Sequence, residues 1–93
     1  MERKSNTERM LDFVREYLDG DMPRMFFDLD FYHFFNKYYP AMERQNPEMA
    51  GCFAYYLSEE GVDVSEGLAD SEHKKLLRRQ FKKFTDARGD GMW

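Results

Sequence analysis

Apolar residues recur at spacings of three and four along four stretches of this chain, and nowhere do they alternate with polar residues over the length of a strand. In the first stretch Met10, Leu11, Val14, Tyr17 and Leu18 share one face of a helix predicted over about 6–19. Ser5 or Asn6 fits its N-cap, Glu8 complements the positive end of its dipole, and Gly20 offers the left-handed conformation that ends many helices. The third stretch, about 47–60, carries Met49, Cys52, Phe53, Tyr56 and Leu57 on one face. Asn46 and Pro47 suit its start and Gly61 its stop. Val62 to Leu68 reads as a loop, and a fourth helix follows over about 71–85 with Leu76, Leu77, Phe81 and Phe84 inward.

The second stretch, about 23–39, has a different pattern. Ten of its residues are Phe, Tyr, Met or Leu, and at 3.6 residues per turn they cover most of the circumference. A helix apolar nearly all round belongs at a centre, touched on several sides. Pro23 suits the first turn, and Pro40 is expected to end the helix because the residue before a proline avoids the helical region. The expectation is an all-α fold: one four-helix domain of 93 residues, an irregular bundle around an aromatic-rich central second helix, with a mobile tail over 86–93.

Composition supports that expectation. Nine Phe, six Tyr and seven Met supply the core of a small domain without a disulfide or metal staple. Cys52 is the only cysteine, so no disulfide forms within the chain, which fits a reducing cytoplasm. No run approaches the length of a membrane span, and the polar start differs from a secretory signal. The net charge of −4 is unevenly spread: residues 1–67 hold seven Lys or Arg against fourteen Asp or Glu, and residues 68–93 hold seven against four.

That asymmetry points to the fourth helix. Lys74, Lys75, Arg78, Arg79, Lys82 and Lys83 fill one half of its wheel, opposite His73, Leu76, Leu77, Gln80, Phe81 and Phe84. A cationic stripe of this kind suits nucleic acid or an acidic protein. A solvated outer face, with cations favoured near the helix C-terminus, accounts for the same pattern.

Asp28 falls amid aromatic residues if 23–39 is one helix, and a carboxyl held there would be a general-acid or ligand candidate. Pairing with Arg24, or capping a helix that starts at Asp28, is the plainer reading. Asp30 and His33, at i and i+3, resemble half of a helical carboxylate–histidine metal motif, which needs a second copy and further carboxylates. Cys52 and His73 read as core, and Arg88-Gly89-Asp90 as part of the tail. No phosphate-binding glycine loop, zinc-type cysteine pairing or nucleophile elbow occurs in the chain, so no cofactor or metal is assigned. The expected function is a small, soluble, cytoplasmic, non-enzymatic protein-interaction module, docking or self-associating through whatever aromatic surface the other helices leave uncovered. Nucleic-acid association through the basic helix is the first alternative, and a small acid/base or metal site at Asp28, Asp30 and His33 the second.

Overall fold

The computed structural model describes residues 5–89 and is all-α, with no strand among the described residues. Helices α1 (Asn6–Leu18) and α2 (Arg24–Gln45) are followed by α3 (Pro47–Phe53), which runs on through a π-helical segment (Ala54–Val62) into the single turn α4 (Asp63–Ser65); α5 (Asp70–Gly89) completes the chain. None of these helices is long and apolar enough to cross a membrane. The chain divides into two units, Met1–Pro47 and Glu48–Trp93.

In the first unit α1 is closed at both ends as its sequence predicts. The Ser5 hydroxyl accepts from the Glu8 backbone N–H at 3.1 Å. At the other end Gly20 takes φ +87°, and the Gly20 and Asp21 N–H groups donate back to the Tyr17 and Glu16 carbonyls at 3.1 and 2.9 Å. This double return is a Schellman stop, and it turns the chain through Asp19–Pro23 into α2. The two helices then pack on aromatic rings. Phe27 lies stacked on Tyr17 at 4.4 Å and on Phe13 at 5.4 Å, and Phe13 also meets Phe34 edge-on at 5.1 Å. Met10, Leu11, Val14, Leu18 and Phe31 are buried with Phe27 and Tyr17.

Along α2 the rings form a ladder at i, i+4: Phe27 to Phe31 at 5.5 Å, Phe31 to Phe35 at 5.8 Å and Phe35 to Tyr39 at 5.0 Å. The ladder carries the helix past the point where the sequence predicts its end. Pro40 lies inside α2 and does not stop it. A proline removes one backbone hydrogen bond, but Pro40 sits on the exposed side while Tyr39 stacks before it and Met42 is fully buried after it. The helix is also one piece from Arg24, so Asp28 is an interior residue and not a cap.

Enclosure on every side, which the apolar circumference of this helix predicts, is not found. Phe27, Phe31 and Met42 are buried, and Phe34, Phe35, Tyr38 and Tyr39 are half-buried. Met25, Phe26, Leu29 and Tyr32 are exposed.

In the second unit helix replaces the expected stop at Gly61 and the first part of the loop expected over 62–68, running on to Ser65; residues 66–69 remain non-helical and lead into α5. Gly61 has no positive φ; its backbone is helical, and its missing side chain serves packing. A Cβ there would sit 2.9 Å from the Tyr56 carbonyl oxygen and 3.1 Å from Leu77 Cδ2 of α5. The π-helical winding shows in the Asp63 N–H, which donates to the Ser58 carbonyl five residues back. The Gln80 side chain of α5 donates from Nε2 to the Glu60 carbonyl at 3.0 Å, within that segment. Beneath lie Phe53 and Phe84, edge-on at 5.4 Å, with Ala50, Leu57, Leu77 and His73 fully buried. Helix α5 begins at Asp70 and continues to Gly89, so residues 86–89, read from sequence as mobile tail, are helical. The remainder of that tail, including Asp90 of the Arg-Gly-Asp triplet, lies outside the described residues.

Two stability predictions follow from this packing. Phe27→Ala removes the ring held between Phe13 and Tyr17 and should cost about 3–5 kcal/mol, measured by denaturant unfolding; a loss below about 1 kcal/mol would contradict a core organised on that ring. Gly61→Ala gains helix propensity but forces Tyr56 or Leu77 to shift. A net loss on the order of 1 kcal/mol is expected, whereas a rise in thermal midpoint would show that α5 does not need the close approach.

Candidate functional site

Three surfaces carry the residues singled out from the sequence. The first is the outer side of α2. At about 100° per residue, Met25, Leu29, Tyr32 and Phe26 span a ribbon roughly 120° wide, opposite the Phe27–Phe31–Phe34 side. Their side chains are 68, 68, 42 and 55 % exposed respectively, too open to contribute to the core. Scattered apolar residues are ordinary on a surface; four on adjoining positions of two helical turns are a patch. His33, Asn36 and Lys37 continue the same side in polar form, and all three are exposed.

Asp28 lies beside this ribbon, about 200° around the helix from Asp30. It is exposed and accepts a hydrogen bond from Arg24 Nε at 3.3 Å, one turn earlier. The carboxyl is therefore not lodged among rings: it stands in solvent, held by the guanidinium one turn before it. The His33 ring meets Phe34 edge-on at 5.3 Å. Asp30 is half-buried and faces α1 across a groove. The three residues do not converge, and no group of three or more His, Cys, Asp or Glu among the described residues is placed to hold a metal ion.

The second surface is α5. Lys75, Arg78, Arg79, Lys82 and Lys83 are exposed and Lys74 is half-buried, so all six cations share the outer side that the wheel assigns. Lys82 Nζ is 2.9 Å from Asp86 Oδ2, an exposed pair that occupies one of the six and contributes little to stability. On the inner side His73 is fully buried, as expected for a core histidine, and Gln80 is buried with its amide turned to the π-helical segment. Cys52 is half-buried and free.

The third surface was not visible in the sequence. A groove of about 430 Å³ runs between α1 and α2. Phe13, Phe34, Tyr38, Met10 and Met22 line it, with Asp12, Glu16, Asp30 and Arg9 also in its wall. Asp12 is held by Arg15 Nη1 at 2.9 Å. Phe13 falls outside the stripe Met10–Leu11–Val14–Tyr17–Leu18, yet its spacing of three from Met10 and four from Tyr17 was the signal that could have found it. The matching set on α2, Asp30–Phe34–Tyr38, has strict i, i+4 spacing and is obscured in sequence by the rings around it.

Comparison with known proteins adds no name to these surfaces: no family model matches the chain, and no curated protein or solved structure matches it.

Proposed function

We propose that the protein is a non-enzymatic protein-interaction module whose contact surface is the Met25–Phe26–Leu29–Tyr32 ribbon of α2. The exposure of these four side chains carries the reading. Burying a large apolar side chain is worth about 1.5–3 kcal/mol, so leaving four on adjoining positions in water forgoes stabilisation that a second protein surface would recover. The site lies on a helix braced by an aromatic ladder, which keeps the ribbon in one shape and lowers the ordering entropy of binding. Within this reading the protein is cytoplasmic and needs no cofactor, in keeping with its single cysteine.

The test uses Met25→Glu with Leu29→Glu. Both positions are exposed, so helicity and thermal midpoint should stay close to wild type. The wild-type protein should bind a hydrophobic fluorescent dye in its folded state or gain mass with concentration in light scattering, and the double variant should lose that behaviour. A wild-type protein that is monomeric at all concentrations and binds no dye overturns the reading.

A second reading, nucleic-acid association, is favoured by the open cationic side of α5. If all six cations meet phosphates, the slope of log affinity against log salt should be about −5. Lys75→Glu, Arg79→Glu and Lys83→Glu together should abolish binding while the protein stays folded. No shift of single- or double-stranded nucleic acid at low salt removes this reading.

A further inference from the structure

The groove between α1 and α2 has a chemistry that neither surface above uses. Its volume, about 430 Å³, falls in the range of small-molecule sites and is short for a peptide. Three of its lining residues are aromatic: Phe13, Phe34 and Tyr38. Phe13 and Phe34 meet edge-on at 5.1 Å, and Phe34 and Tyr38 stack at 6.1 Å, so the rings brace one another and present a continuous wall. The lining holds three carboxylates to one guanidinium; Asp12 is already paired with Arg15, so Glu16 and Asp30 give the groove its negative side. The helices form an antiparallel hairpin around the Schellman turn, which sets Glu16 toward the turn and Arg9 with Tyr38 toward the far end. The positive charge of Arg9 is thus separated along α1 from Glu16 by seven residues, about 10 Å of helix.

An aromatic wall with carboxylates at one end complements a single kind of small ligand. Ring faces attract a cation through their quadrupole, carboxylates attract it by charge, and the apolar floor takes whatever hydrocarbon the cation carries. An anion would meet the carboxylates and be repelled; a fully polar cation would leave the rings unused. We propose that this groove binds a small organic cation with an aryl or alkyl body, the body lying on Phe13, Phe34 and Tyr38 and the ammonium beside Glu16 and Asp30.

Three soluble ligands of one shape test it by calorimetric titration of the whole chain: 3-phenylpropylammonium, 3-phenylpropanol and 3-phenylpropanoate. The ammonium should bind most tightly, roughly fivefold better than the alcohol, and the carboxylate most weakly. Glu16→Gln with Asp30→Asn keeps the side-chain volumes and should bring the ammonium down to the affinity of the alcohol. An unchanged alcohol affinity in that variant shows that the groove has kept its shape. If the variant binds neither, the wild-type preference for ammonium over alcohol decides the matter alone. Proton and carbon shifts on adding the ammonium should fall on the Phe13, Phe34 and Tyr38 rings. Equal affinity for ammonium and alcohol in the wild type, shifts confined to other residues, or no saturable binding below about 10 mM overturns the proposal.

Discussion

The stacking of Phe27 between Phe13 and Tyr17 is the contact on which the first unit depends. One fully buried ring touches two residues of α1 four apart, so it fixes both the rotation of α2 and its height along α1. The Schellman turn supplies the reversal, but a turn alone leaves the angle between two helices open. Once Phe27 is seated, the i, i+4 ladder through Phe31, Phe35 and Tyr39 follows from helical geometry. The ribbon of Met25, Phe26, Leu29 and Tyr32 is then necessarily turned outward. The exposed patch is a consequence of which side of an aromatic helix the core selected.

The second unit is organised by a different device, the absence of a side chain. Gly61 lets Leu77 of α5 approach a backbone that has widened into π-helical winding. Wider winding leaves carbonyls poorly placed for their own helix, and Gln80 reaches across to one of them at Glu60. The same helix presents its six cations away from this contact. Its inner side is committed to structure, through His73, Leu77, Gln80 and Phe84, and its outer side faces solvent.

The residues singled out from the sequence fall on separate surfaces rather than in one cluster. Asp28, Asp30 and His33 are near neighbours in sequence, yet the helix sends Asp28 to the surface beside Arg24 and Asp30 to the α1–α2 groove. The three available surfaces differ in character: an apolar ribbon, a cationic face, and an aromatic groove with an acidic wall. Each is held on helices rather than on a loop.

Local rules alone determined much of this protein: the all-α class, the start of α1 at Ser5 and its stop at Gly20, the existence of four helical stretches, and the division of α5 into basic and apolar sides. Each depends on residues within one or two turns of each other, where capping, dipole and periodicity act without knowledge of the rest of the chain. Tertiary structure decided the remainder. Pro40 and Gly61 are helix breakers by local rule, yet one is carried by ring stacking and the burial of Met42, the other recruited for close packing against Leu77. A helix apolar on every side has no periodic signal to say which side is buried. Only the rings of Phe13 and Tyr17, brought across from α1, make that choice and with it set the ribbon and the groove.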